Sequence, residues 1–268
     1  MDSQWWHPNH MFFGDFYEFA DQSVEGYDVT KRMNREQRTE REIELISKYL
    51  SLNPQSKILD CPCGNGRHSL GLARKGSKVV GVDINEIMIS IARKQIQSAN
   101  TNGNLSFYKM DMRDLKFEKN SFDYIINMFL SFGFFNDEDN EKVVKEFFRL
   151  LKPGGKLLVH LDLNYDRVIS GKYLIGDQHI TRECRVDGEY KILEINERYD
   201  EKNKRLIGEW ILINGENATK NYSLRVYDNE KEFIPLFKKN GFSSVILNDP
   251  ENKRYSIDSK ETILVAIK

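Results

Sequence analysis

Residues 60–69, DCPCGNGRHS, gather at one place many of the groups in this chain that could do chemistry: a carboxylate, two thiols, two glycines, a guanidinium and an imidazole. Thiolates could grip a metal ion. Cys61 and Cys63, however, have a single residue between them, whereas zinc pairs usually enclose roughly two to four. No second pair exists to close a tetrahedron, the third cysteine lying 121 positions further on. Both therefore read as small apolar residues lining a tight turn, and no metal is expected. A second chemistry is pyrophosphate binding, because GNGRHS fits G-x-G-x-x-small and Asp83, 17 residues after Gly66, stands near the place of a ribose-binding acid. Two details count against a dinucleotide: three residues separate Asp60 from Gly64, and the chain finishes in an antiparallel pair instead of a second mononucleotide-binding half. A third chemistry is a backbone bent around a smaller, positively charged cofactor.

The flanking elements must hold that loop. Residues 35–50 place Ile43, Ile46, Tyr49 and Leu50 on one helical face. Strands are expected at 57–60, 77–83, 105–110, 122–129 and 156–163, with helices at 66–75, 85–99 and 139–151 and the breaker KPGG at 152–155. Strands that recur with intervening helices imply a parallel sheet covered on both faces. After about residue 170 the pattern changes to four segments at hairpin spacing, 178–186, 190–199, 205–213 and 219–227, separated by turn signals at 187–188 and 214–217. A helix over 230–241 then leads to strands at 242–248 and 261–268, whose link is too short for a crossover helix, so the sheet ends in an antiparallel pair.

These residues resemble the class I S-adenosylmethionine-dependent methyltransferases, whose glycine loop follows a strand ending in Asp and is written roughly D-x-G-x-G-x-G. Here it stands as Asp60, Cys61, Pro62, Cys63, Gly64, Asn65, Gly66, with Pro62 in the place of the first glycine. Asp83 after VVGV matches the acid that holds the ribose hydroxyls, MDMRD at 110–114 the segment flanking adenine, FDYIIN the fourth strand, and LKPGGKLLV the turn into the fifth. The resemblance covers about 35–165 and returns at 229–268. It implies an α/β, doubly wound, Rossmann-like sheet of seven mostly parallel strands with an antiparallel C-terminal hairpin and an antiparallel β insert after the fifth strand. The whole chain, 1–268, is expected to be one domain, with 1–34 as an aromatic lid segment and 172–228 as the insert, a cap or dimerisation element. The implied cofactor is S-adenosyl-L-methionine, the product S-adenosyl-L-homocysteine. Its expected contacts are Asp60, Cys61, Pro62, Gly64, Gly66 and Arg67 in the loop, Asp83, Ile84 and Met88 after the second strand, Asp111 and Met112, and Asn127. The insert resembles that of small-molecule, N- or O-directed members.

An open α/β sheet places its ligand crevice beyond the carboxyl ends of the strands, where strand order reverses. That selects Asn127–Phe135 and His160–Tyr165. The stretch 127–135 carries four phenylalanines, and residues 5–19 carry seven aromatics, with Phe12, Phe16 and Phe19 on one helical face. Phe12, Phe16, Phe129, Phe132, Tyr165 and Arg225 are the expected acceptor-pocket residues. Methyl transfer from a sulfonium is a direct displacement, so alignment and water exclusion dominate, and the candidates for proton handling or orientation are His160, Asp162 and Tyr17. An amine acceptor that binds neutral needs little base chemistry.

Lysine plus arginine number 40 against 41 acidic residues, which gives no global reason to expect a polyanion; nucleic acid is disfavoured and a small-molecule acceptor expected. The alternatives are an RNA methyltransferase, on the basic run at 31–42, and a non-catalytic scaffold that keeps the fold. No apolar stretch is long enough to span a membrane, so a cytoplasmic protein is expected, with a homodimer through the insert as a further expectation.

Overall fold

A computed structural model describes residues 4–13, 33–98, 101, 103–171, 180–182, 191–213, 218–251 and 253–268. Helix α1 (Arg35–Leu50) begins at a capping box: the Asn34 side chain accepts the Gln37 N–H at 2.9 Å and the Gln37 side chain accepts the Asn34 N–H at 3.0 Å. There follow β1 (Lys57–Asp60), α2 (Arg67–Arg74), β2 (Lys78–Asp83), α3 (Glu86–Ser98), β3 (Leu105–Lys109), β4 (Phe122–Asn127), α4 (Asp137–Leu150) and β5 (Leu151–Leu161). After the insert the chain returns through β10 (Ser244–Asn248) and β11 (Thr262–Ile267).

The main sheet has seven strands in the order β10-β11-β5-β4-β1-β2-β3. β1 pairs in parallel with both β2 and β4, so strand order reverses at β1 and the crevice opens beyond Asp60. β11 runs antiparallel to both β5 and β10, which is the antiparallel ending expected. One face of the sheet carries Phe122, Phe147, Phe233 and Phe237, and the other Ile46, Leu50, Ile58, Leu72 and Ile89, all buried.

Three differences from the sequence reading have local causes. β5 starts at Leu151, not 156: Phe122 pairs with Leu151 and Tyr124 with Lys156, so the KPGG segment bulges out within the strand and does not precede it. A short helix, α5 (Tyr165–Ile169), sits where none was expected, capped by the Asn164 side chain, which accepts the Arg167 N–H at 3.2 Å. The helix expected over 230–241 is a π turn (Asn229–Phe233) that tightens into α6 (Ile234–Lys239).

The insert forms a second, antiparallel sheet of β6 (Ile180–Arg182), β7 (Lys191–Asp200), β8 (Arg205–Ile213) and β9 (Ala218–Arg225), in that order. The turn signals at 187–188 and 214–217 lie outside the described residues, as do Phe16, Tyr17 and Phe19. At the N-terminal end Pro8–His10 is a single 3-10 turn, and Trp5, Trp6 and Phe12 are buried in the main core cluster. Among the described residues no helix is long and apolar enough to cross a membrane, and no three His, Cys, Asp or Glu side chains converge as a metal site would.

Candidate active site

The turn after β1 is held by main chain. The Cys61 N–H donates to Ile126 O at 3.0 Å, the Cys63 N–H to Val82 O at 2.8 Å, and Asn127 Nδ2 to Cys61 O at 2.9 Å. The Cys61–Pro62 bond is cis. Asp83, closing β2, reaches back: Oδ2 accepts the Gly64 N–H at 2.9 Å while Oδ1 accepts the Asn85 N–H at 2.8 Å. A carboxylate has roughly four acceptor positions, so two bonds leave capacity for a ligand. Burial pushes its pKa up to about 6, against the restraining bonds from Asn85 and Gly64. The thiols of Cys61 and Cys63 are buried, and burial with the neighbouring Asp83 and Asp60 charges keeps both well above the usual thiol range.

The two loop glycines have different reasons to be glycine. Both have positive φ, +54° at Gly64 and +83° at Gly66. A Cβ at Gly66 would lie 2.6 Å from the Phe107 ring and 3.0 Å from Ala92 Cβ, so this position is set by helix-on-sheet packing. A Cβ at Gly64 would meet nothing within 4 Å, because Gly64 faces open space.

That space is a cavity of about 920 Å³. Its loop end is bounded by Gly64, Asp83, Ile84, Met88, Asp111 and Met112, together with Cys61, Pro62 and Arg67. Asp60, Gly66 and Asn127 do not reach the wall. Asp60 is wholly buried behind it, with Oδ2 accepting from Ser69 Oγ at 2.6 Å, Oδ1 without a hydrogen-bond partner among the described residues, and a pKa raised by burial to about 7. Asp111 is gripped by Arg113, which donates from Nε at 3.1 Å and Nη2 at 2.6 Å and also bonds Asp139 at 2.7 Å. The same guanidinium lies 4.4 Å from the Phe135 ring centroid and 5.0 Å from that of Trp6, so it joins the Asp111 segment to the aromatic wall. Sequence reasoning did not single out Arg113.

A charged cluster forms a second wall. Glu42 accepts from Arg67 and from His68 Nε2 at 2.8 Å. Burial would raise the Glu42 pKa, but Arg67 and His68 outweigh it and hold the carboxyl well below its usual range. Burial and the Arg67 charge lower the His68 pKa to about 4, so its ring is neutral near pH 7. His160 and Asp162 also face the cavity. His160 Nε2 is 2.9 Å from Glu261, whose bond and charge raise the imidazole pKa in spite of burial. That pairing stabilises the proton on His160, which argues against the general-base candidacy given to it above. Tyr17 lies outside the described residues. In the loop beyond β4, Phe129 and Leu130 both hold positive φ, 59° and 58°, a costly conformation for large side chains that places them on the cavity wall.

The far end is aromatic. Trp5 donates from Nε1 to Ser223 O at 2.7 Å in the insert, and Asn85 Nδ2 donates to Phe13 O just beyond Asp83, so the N-terminal segment spans from the end of β2 to β9. Trp5 and Phe12 meet Trp210 of β8 and Tyr222 of β9 over the cavity. Of the expected acceptor residues, Phe12 and Phe129 are on the wall. Phe132, Tyr165 and Arg225 are not. Phe132 packs between Tyr227, Phe233 and Phe237, and Arg225 bonds Asp137 at 2.9 Å and Glu232 at 3.1 Å; Tyr165 packs beside the main core. Trp5 and Phe13 fall within the aromatic-rich stretch already noted, whereas Glu197, Trp210 and Tyr222 carried no local signal.

Residues 58–155 match the methyltransferase-domain family. The ubiquinone/menaquinone biosynthesis C-methyltransferase UbiE of Wigglesworthia glossinidia brevipalpis is 39% identical over 112 residues, 41% of this chain and 44% of that protein. The demethylmenaquinone methyltransferase of Bacillus cereus is 31% identical over 135 residues, 49% of this chain and 55% of the relative. The chain thus spans about half the length of the curated relatives it matches. The CcbJ methyltransferase from Streptomyces caelestis shares the fold over nearly the whole length, with a TM-score of 0.70 at 17% identity, covering 92% of this chain and 96% of that one. In sequence residues 58–155 are thus similar to a methyltransferase domain, and the loop geometry and the sheet order agree with that likeness.

Proposed function

We propose that the protein transfers a methyl group from S-adenosylmethionine to a nitrogen or oxygen of a small molecule, and that the acceptor atom is an amine nitrogen. The observation that carries this reading is the continuity of one cavity from Gly64 and Asp83 to the aromatic wall of Trp5, Trp210 and Tyr222. The residues at the loop end suit the cofactor. Gly64 leaves the space a side chain would fill, Asp83 keeps acceptor capacity for a pair of vicinal hydroxyls, and Ile84, Met88 and Met112 offer apolar contact to a base. When bound, the cofactor supplies a methyl group on a cationic sulfur, and carboxylates suit that charge where a phosphate nest would not. The rest of the wall excludes water and aligns the acceptor, the main requirements of a direct displacement. With Glu261 favouring the protonated form of His160 against burial, an acceptor that needs no base at that position fits best.

The C-directed names of the two relatives do not decide the acceptor atom, because Trp5, Phe12, Phe13, Trp210 and Tyr222, which line the aromatic end, lie outside the matched domain at 58–155. The test is incubation with methyl-labelled cofactor and a metabolite extract. A labelled small amine is the expected product. Label in RNA, on carbon, or in no product at all would overturn the reading.

A further inference from the structure

One guanidinium ties the insert to the loop that follows β4. Arg205 opens β8, opposite Asp200 of β7 and Arg225 of β9. The two arginines stand in register, and their side chains take different partners: Arg225 bonds Asp137 at 2.9 Å and Glu232 at 3.1 Å, while Arg205 bonds uncharged oxygens. Its Nε donates to Ser223 Oγ at 2.6 Å and its Nη2 to Ser223 O at 2.5 Å, both on β9. Nη1 donates to Phe135 O at 2.9 Å, and Nη2 also to Phe134 O at 3.1 Å and Gly133 O at 3.4 Å. Three consecutive carbonyls of one loop are gathered by one planar fork.

The same loop lies directly against β9. The Arg225 N–H donates to Gly133 O at 2.8 Å, and a Cβ at Gly133, whose φ is +108°, would sit 2.6 Å from Arg225 O. Only glycine permits that approach. With the carbonyls of 133–135 bonded to Arg205, the Phe134 and Phe135 rings stand on the cavity wall, Phe134 5.0 Å from Trp5 and Phe135 4.7 Å from Trp6 between centroids. Trp5 joins the same hub, since its Nε1 donates to Ser223 O, an acceptor it shares with Arg205. A lysine could not replace this arginine: the fork offers several donors in one plane, whereas an ammonium offers its donors from a single atom.

We propose that Arg205 is a positioning residue for the acceptor: by fixing residues 133–135 against β8 and β9 it sets where the Phe134 and Phe135 rings stand, and so makes acceptor binding depend on the insert. This deepens, and rests on, the small-molecule methyl-transfer reading. The test measures label transfer from saturating methyl-labelled S-adenosylmethionine over a dilution series of the metabolite extract, with S-adenosylhomocysteine titrated by calorimetry in parallel. In Arg205→Lys the extract concentration at half-maximal transfer should rise about tenfold or more, while S-adenosylhomocysteine affinity stays within about twofold of the wild type. A merely structural arginine would lower the maximal rate in step with the folded fraction and leave the half-maximal concentration unchanged. That result overturns the proposal, as does a matching loss of S-adenosylhomocysteine affinity. Should Arg205→Lys fail to fold, Ser223→Ala decides in its place: it removes only the hydroxyl that Nε bonds and should raise the half-maximal concentration about threefold, and no rise overturns the proposal. A wild type that labels no small molecule sinks the methyl-transfer reading itself, whereas transfer by the wild type with an unshifted variant sinks only the role given to Arg205.

Discussion

At the Gly64 end the cavity wall is main chain and carboxylate, tied together by N–H bonds from residues at or next to strand ends: Gly64 and Asn85 to Asp83, Cys63 to Val82. At the Trp5 end it is indole and phenyl rings brought together from positions as distant as 5 and 222, held by ring packing and by long-range bonds that include Trp5 to Ser223 and Asn85 to Phe13. The first arrangement follows from the parallel strands of the sheet, whose carboxyl ends all lie at the same edge. The second depends on three separate segments arriving together, and so can change while the first is kept. The proposed reading assigns the cofactor, common to many reactions, to the end that the fold dictates, and the acceptor to the end that is assembled.

Substitutions can break or sharpen this contrast. The largest effect is expected at Gly66→Ala, which forces a left-handed backbone on a residue whose Cβ would sit 2.6 Å from Phe107. About 1–2 kcal/mol for the backbone and about 1–3 for overpacking predict a loss near 2–5 kcal/mol in denaturant unfolding. A loss below about 1 kcal/mol would show that the packing account is wrong.

Gly64→Ala should cost only the backbone part, about 1–2 kcal/mol, since its Cβ enters open space. It should nevertheless weaken S-adenosylhomocysteine binding by about tenfold or more, equivalent to about 1.4 kcal/mol, by calorimetry. Unchanged affinity would mean that no ligand approaches that surface.

Protonation gives a smaller handle. With the Asp83 pKa near 6, the carboxylate is ionised at pH 7.5 and mostly protonated at pH 5. A proton bound there removes an acceptor, so cofactor affinity should fall as pH drops through 6, by about tenfold at pH 5. His68, with a pKa near 4, stays neutral over this range and adds no slope of its own. The slope should vanish in Asp83→Asn, and its persistence there would assign it to another group.

The smallest effect is expected for Trp5→Phe, which keeps a ring but removes the donor to Ser223 O. That oxygen also accepts from Arg205 Nη2 at 2.5 Å, so no more than about 1 kcal/mol of stability should be lost. Cofactor affinity should be unchanged; a loss matching that of Gly64→Ala would erase the distinction between the two ends.

The legibility of the molecule divides along the same line. The loop from Asp60 to Gly66 and the strand end at Asp83 were readable because local spacing and hydrophobic period determine them, whereas the reversal of strand order at β1 needed the sheet itself. The different duties of Gly64 and Gly66 were not, since the Phe107 ring that occupies the space beside Gly66 comes from another strand. Arg225 looked suited to a pocket from its place at a strand end, yet Asp137 and Glu232 draw it away. Glu197 reaches the cavity only because a bulge opposite Gly208 turns it inward, and a one-residue irregularity leaves no periodic trace in a sequence. The KPGG segment misplaced the start of β5 for a related reason: four residues that break regular pairing can sit inside a strand as a bulge.

The most direct test of the account is calorimetric titration of S-adenosylhomocysteine into the wild-type protein and into Asp83→Ala at pH 7.5. Two hydroxyl bonds to an ionised carboxylate are each worth about 1.5–3 kcal/mol, so the variant should bind roughly 100-fold more weakly or worse. Equal affinity in the two proteins, or a wild type that takes up no ligand, would contradict the placement of the cofactor between Gly64 and Asp83.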